Sequence, residues 1–286
     1  MNLYSIEAGN FKLDGGAMFG VVPKTLWSRT NPADSNNMID IAARCLLIEK
    51  GNRLTLIDTG LGNKQSEKFF GYYHRWGNYN LIDSLKKIGF HPDDITDVFM
   101  THLHFDHCGG SVQWNSTRTG YEPAFKNAEY WSNKQHWDWA TNPNKREKAS
   151  FLKENILPLE ASGQLKFVEK PKTDFSSSKE MDFGILFADG HTEKQMIPHI
   201  EYKEKTIVFM ADLLPTAGHL PIPYIMGYDT RPLLTLPEKE KFLNAAADNN
   251  FYLFLEHDAH NQIVTVKQTE KGVSLDKSFT FDELFN

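Results

Sequence analysis

A chain of 286 residues with 40% hydrophobic and 13% aromatic content, including 20 Phe, 10 Tyr and 6 Trp, can bury a sizeable core and is not globally disordered. Its formal net charge of −6, without any extended basic run, excludes the electrostatic footprint of a nucleic-acid binder. No apolar stretch reaches membrane-spanning length, the amino terminus lacks a signal-like profile, and Cys45 and Cys108 are the only cysteines, so a cytoplasmic, disulfide-free protein without a membrane partner is expected.

In chain order, alternation over Leu3–Glu7 predicts a strand, followed by the glycine-containing stretch FKLDGGAMFGVV. Ala42–Glu49 and Arg53–Asp58 flank Lys50-Gly51-Asn52 as the arms of a hairpin flank its turn. Leu81, Ile82, Leu85 and Ile88 fall at helical spacing before Gly89, Pro92-Asp93-Asp94 marks a turn, and Asp97–Met100 is a short apolar strand. The Trp-, Lys- and Glu-rich segment 132–159 predicts one or two helices broken at Pro143 and Pro158, and 171–180 (PKTDFSSSKE) a solvated loop. Strands resume at Ile185–Asp189, Gln195–Glu201 and Thr206–Ala211, then a helix at Pro237–Ala247 and a strand at Tyr252–Glu256. Two mainly antiparallel or mixed sheets flanked by helices, an αββα sandwich of class α/β, accommodate this order as one domain over 1–286 with a helical insert around 132–159.

The run Thr101-His102-Leu103-His104-Phe105-Asp106-His107-Cys108-Gly109-Gly110 places four potential metal ligands within six positions. His102 and His104, two apart and extending the preceding strand, project to one side and can share an ion; Asp106 and His107, on the first turn of a following helix, aim at a second. Buried titratable groups are costly unless paired or coordinated, which favours ligation over chance clustering. Gly109-Gly110 permits close approach of backbone. His191, Asp212 and His257 each stand at the carboxyl end of an apolar strand, a repeated placement that lets all three meet at one sheet edge. Imidazole and carboxylate donors suit zinc, and equally iron, manganese or cobalt.

HLHFDHCGG resembles the HxHxDH signature of the metallo-β-lactamase superfamily, and His191, Asp212 and His257 follow in the order of its remaining ligands. Leu56-Ile57-Asp58-Thr59-Gly60 resembles its strand-end Asp-Thr-Gly. The resemblance implies two Zn2+ ions, the first held by His102, His104 and His191, the second by Asp106, His107 and His257, with Asp212 bridging and Asp58 supporting a ligand without binding metal.

Phe before the Asp and Gly-Gly after the His are most similar to the N-acyl homoserine lactone lactonases. That similarity implies quorum-quenching opening of a lactone ring by a hydroxide shared between the ions, with Asp106 moving the proton. The alternative for the same metals is an aryl-ester or organophosphate triester hydrolase. Pro215 stands where the lactonases carry a substrate-binding tyrosine, so His219 and Tyr224 are candidate replacement donors. Met18, Phe19 and Val21, together with Phe69, Phe70, Tyr72 and Tyr73, occupy loops that line the acyl pocket in similar proteins, and a homodimer is expected from the same resemblance.

Overall fold

The structure is a computed structural model that describes residues 1–170 and 176–285. Fourteen strands occur among them: β1 (Asn2–Asp14), β2 (Met38–Lys50), β3 (Arg53–Ile57), β4 (Asp97–Phe99), β5 (Val112–Trp114), β6 (Tyr121–Pro123), β7 (Glu129–Ser132), β8 (Leu165–Phe167), β9 (Gly184–Ala188), β10 (Gln195–Tyr202), β11 (Lys205–Phe209), β12 (Tyr252–Phe254), β13 (Ile263–Thr269) and β14 (Gly272–Phe279). The helices are α1 (Gly15–Phe19), α2 (Lys24–Trp27), α3 (Glu67–Gly71), α4 (Leu81–Lys87), α5 (Phe105–Cys108), α6 (Lys134–Thr141), α7 (Lys153–Ala161), α8 (Pro232–Asp248) and α9 (Phe281–Phe285). The chain forms two compact units, 1–10 with 43–170 and 11–42 with 171–286. Of the loop expected at 171–180, residues 171–175 lie outside the described residues.

The first unit is organised on the sheet β1-β2-β3-β4-β7-β8. The β2–β3 hairpin runs from Leu46 opposite Ile57 to Lys50 opposite Arg53, and Gly51 supplies the left-handed turn residue at φ 60°. β4 lies between β3 and β7, parallel to both, and all three of its residues are buried, as central parallel strands require. Leu47, Leu56, Val98, Tyr130 and Leu85 share one core cluster with Leu103 and Cys108 of the histidine segment. Asn80 caps α4 by accepting the Asp83 N–H at 2.9 Å, and Gly89 follows at φ 92°. Pro158 does not break the helix placed there. α7 runs through it to Ala161, held by the burial of Asn155, Ile156 and Leu159, and the cost falls on a single lost backbone bond.

The second unit is organised on the sheet β14-β13-β12-β11-β10-β9. β10 is antiparallel to both β9 and β11, and β12 is parallel to β11, so β9, β11 and β12 all run in one direction. α8 begins at Pro232, five residues before the expected start, because Pro232 at the first turn has no N–H to leave unsatisfied; Pro237 lies inside it. The β13–β14 hairpin had no counterpart in the sequence reading: its outward residues are mostly polar, so its alternation is weak.

Gly109 and Gly110 allow the backbone after α5 to lie against the turn after β3. A Cβ on Gly110 would stand 2.3 Å from the Thr59 carbonyl oxygen, and one on Gly109 2.2 Å from that of Leu61. Gly110→Ala is therefore expected to lower stability by about 2–4 kcal/mol in urea unfolding, while Gly71→Ala, with open space around its Cβ, changes it by less than about 0.5 kcal/mol.

Candidate metal centre

Four of the candidate ligands lie in the first unit and three in the second. In the first, the parallel strands β3 and β4 end side by side and release Asp58 and Thr101-His102. The segment 101–104 is a loop rather than a continuation of β4, and α5 opens at Phe105 with Asp106 and His107 in its single turn. All four ligand candidates are buried, His102 and His107 completely.

Asp58 adopts a left-handed backbone at φ 57°, a conformation costing about 1–2 kcal/mol for a non-glycine residue, which turns its carboxylate back over the end of β4. One oxygen accepts the Thr101 backbone N–H at 2.7 Å; the other accepts the Thr101 hydroxyl at 2.6 Å and faces His107 Nδ1 at 3.0 Å. Since Thr101 gives its proton to Asp58, its oxygen is the acceptor for His102 Nδ1 at 3.1 Å. His104 differs: its Nε2 faces Glu147 Oε1 at 3.3 Å, so its Nδ1 is the atom that approaches His102 Nε2, at 3.1 Å.

In the second unit His191, Asp212 and His257 follow β9, β11 and β12. These co-directional strands release them at the same edge of the sheet. Asp212 sits on a 3-10 turn directly after Ala211, whose φ of 42° breaks the line of β11. One Asp212 oxygen lies 3.0 Å from His191 Nε2 and the other 3.1 Å from His257 Nε2. His191 Nδ1 donates to Asp229 at 2.9 Å, and His257 Nδ1 to the Ala42 carbonyl at 2.8 Å. Burial alone would depress the His191 pKa, but the Asp212 and Asp229 carboxylates outweigh it and raise it to about 10.

Each of the five histidines thus gives one ring N–H to an acceptor, which leaves the other nitrogen as the one that can bind a cation, in His191 after it gives up its second proton. Two donors of a tetrahedral zinc site with bonds of 2.0–2.1 Å stand about 3.3 Å apart. The His102–His104, His191–Asp212 and His257–Asp212 separations of 3.1, 3.0 and 3.1 Å match that spacing. The donor set fits a divalent cation, and the high His191 pKa marks a place where positive charge is favoured.

Other candidates fall into distinct settings. His219 is buried; Nδ1 accepts from the Thr216 hydroxyl at 2.8 Å, Nε2 donates to the Met18 carbonyl at 2.9 Å, and the ring stacks on Phe19 at 4.2 Å. Both nitrogens are committed to the protein, which makes it a brace. The Tyr224 hydroxyl has no hydrogen bond among the described residues, and the ring borders a crevice that also reaches Asp212, Pro215 and Asp229. Met18 and Phe19 are buried, Phe19 stacking on Trp27 at 5.4 Å, and Val21 is 97% exposed. Phe69 and Tyr73 pack against Phe105, the neighbour of Asp106, at 5.4 and 4.7 Å, whereas Phe70 lies under Arg75 and Tyr72 is exposed. Burial, with Asp106 nearby, pushes the Tyr73 pKa up to about 12. Cys108 is a buried thiol donating to the Leu103 carbonyl, and burial pushes its pKa up to about 12.

Asp229, Glu147, Thr101 and Lys239 also belong to these surroundings, although nothing local in the sequence marks their roles. Asp229 and Glu147 sit in segments with no motif. Lys239, on α8, is buried and donates to the carbonyls of His219, Pro221 and Tyr224 at 3.0, 3.1 and 2.8 Å, and its burial lowers its pKa to about 8.

The model of the metallo-beta-lactamase superfamily matches residues 40–257. The N-acyl homoserine lactonase AiiA of Bacillus thuringiensis subsp. kurstaki is 27% identical over 143 residues, 45% of this chain and 53% of that enzyme, so the chain spans about half the length of the curated relatives it matches. A crystal structure of a probable metal-dependent hydrolase from Staphylococcus aureus is similar with a TM-score of 0.84 and 28% identity over 98% of both chains. AidC, a dizinc quorum-quenching lactonase solved with its product, shares the fold with a TM-score of 0.77 at 24% identity over 97% of this chain and 95% of its own. Among the described residues no helix is long and apolar enough to cross a membrane.

Burial moves the His219 pKa from 6.5 to about 4, only partly opposed by the bond to the Met18 carbonyl. The unfolded chain therefore takes up the proton first, and stability falls as pH drops from about 6.5 to 4, by up to ~3 kcal/mol for this group. Thermal melts across that window are expected to show a shallower loss in His219→Gln than in the parent.

Proposed function

Because the chain belongs to the metallo-β-lactamase superfamily, we propose that it is a metal-dependent hydrolase that opens the ester bond of a lactone ring, an N-acyl homoserine lactone in particular. In this reading residues 1–286 form one catalytic domain. His102, His104 and His191 hold one ion, Asp106, His107 and His257 the other, and Asp212 bridges them. The observation that carries the reading is Asp212, which offers one oxygen to each of two differently anchored imidazoles, as a carboxylate shared by two cations does. Zinc is the preferred pair, with iron, manganese or cobalt suited to the same donors. The lactone is favoured by the matched relatives, which are N-acyl homoserine lactonases.

Two bound divalent ions would supply Lewis acidity toward the carbonyl and lower the pKa of water to near neutrality. Within the protein, Asp106 on the turn of α5 accepts the proton of the attacking water and returns it to the leaving alcohol. Tyr224, whose hydroxyl has no protein partner among the described residues, donates to a substrate oxygen. It takes the part that Pro215 cannot, held in place by the loop that Lys239 and His219 brace. Phe69 and Tyr73, packed against Phe105, form an apolar wall for the acyl chain.

Metal-loaded enzyme is expected to open hexanoyl and decanoyl homoserine lactones with a higher kcat/KM than it shows for a nitrophenyl ester or a phosphotriester. Ester or phosphotriester turnover without lactone turnover would replace the lactonase reading by the aryl-ester and organophosphate one. Asp212→Asn is expected to lower bound metal and to reduce kcat/KM by at least about 100-fold. Tyr224→Phe should retain its metal and lose about 10–100-fold in kcat/KM; unchanged kinetics in that variant would remove Tyr224 from the site.

A further inference from the structure

The segment around α6 and α7 is tied to the histidine loop residue by residue. Leu103 donates its backbone N–H to His136 Nε2 at 2.8 Å, and Phe105 donates to the Ser150 carbonyl at 2.9 Å. Between them, His104 faces Glu147 at 3.3 Å and stacks obliquely on Phe151 at 4.7 Å. Glu147 and His104 side chains are 3% and 7% exposed, so solvent does little to screen their interaction. The carboxylate is itself fixed. Its second oxygen accepts from Trp139 Nε1 at 2.7 Å and from the Asn144 amide at 2.6 Å, while Asn144 Oδ1 accepts the backbone N–H of Arg146 and Glu147 at 2.8 and 3.1 Å.

We propose that Glu147 is a positioning residue that anchors His104 Nε2 and so strengthens the hold of His104 on metal, and that the segment from Lys134 to Phe151 is a clamp holding the ligand loop in its binding shape. The inference rests on the reading of His104 as a metal ligand. The other four histidines are anchored through Nδ1, and His102, His191 and His257 each turn Nε2 to a neighbouring donor. His104 is anchored the opposite way, and only that orientation brings its Nδ1 to 3.1 Å from His102 Nε2. Rotating the ring to use Nε2 would remove the N–H that Glu147 accepts, leaving a buried carboxylate facing a lone pair. A carboxylate on the distal nitrogen also makes an imidazole a stronger donor, so Glu147 sets both the geometry of the ligand and its hold on the ion.

The test uses the full chain loaded with zinc, with Glu147→Gln, Glu147→Asp and Glu147→Ala beside the parent. Metal retained against a graded chelator is expected to show affinity reduced about 10–100-fold in the Gln and Ala variants and partly restored in the Asp variant. The metal-free Gln variant, which keeps an acceptor for Trp139 and Asn144, is expected to melt close to the parent, and the Ala variant below it. Nitrogen NMR of the parent's histidines is expected to show His104 with a protonated Nε2 and a metal-bound Nδ1. Ligation of His104 through Nε2 in the parent, or parental affinity in both the Gln and Ala variants, overturns the proposal while leaving the metal site itself intact. A parent that binds no zinc at all overturns the metal-centre reading and this inference with it.

Discussion

A buried imidazole has two nitrogens to satisfy, and in this protein one nitrogen of each candidate ligand is satisfied by a fixed protein acceptor. That constraint explains why the histidines are surrounded by side chains that hold no metal in the proposed assignment. Asp58, Thr101, Glu147, Asp229 and the Ala42 carbonyl each receive one ring N–H. With one nitrogen anchored, the other points in a defined direction, and the donor pairs His102–His104, His191–Asp212 and His257–Asp212 stand at the separations of a coordination shell.

The scaffold meets this demand through strand direction and local backbone strain. Parallel neighbours release their following residues from one sheet edge, as β3 and β4 do in the first unit and β11 and β12 in the second. Strained single residues then redirect the chain. Asp58 and Ala211 both adopt positive φ at the ends of such strands; Asp58 anchors His107, and Ala211 directly precedes Asp212. Glycine serves a different purpose at Gly109 and Gly110, where carbonyl oxygens of the Thr59–Leu61 turn occupy the space a side chain would need. The buried Lys64 donates to the Gly109 carbonyl and closes the same contact from the other side.

Around Asp212 the loop 216–226 is held from several directions. His219 spans Thr216 and the Met18 carbonyl, Asp258 accepts the Ala217 N–H at 2.8 Å, and Lys239 gathers the carbonyls of His219, Pro221 and Tyr224. In the proposed function such a loop would present Tyr224 without having to be ordered by substrate, which lowers the entropic cost of binding. Within that loop both ring nitrogens of His219 are used on the protein, and Tyr224 borders the crevice that reaches Asp212.

The sequence by itself determined the mixed α/β class, most strand positions and which side chains are candidates for a metal centre. Those signals are local: hydrophobic period, turn residues, and four ligating side chains within six positions of one another. It also placed His191, Asp212 and His257 at strand ends, because an apolar run followed by a polar residue can be read without knowing strand order. Tertiary structure alone decided which nitrogen each histidine offers, since the acceptors lie far along the chain: Glu147 is 43 residues from His104 and Asp229 38 from His191. It also decided that Pro158 and Pro237 lie within helices, because burial of neighbouring side chains outweighs a single missing backbone bond. Tautomer, anchoring and loop rigidity depend on partners brought together by folding, and no local pattern encodes them.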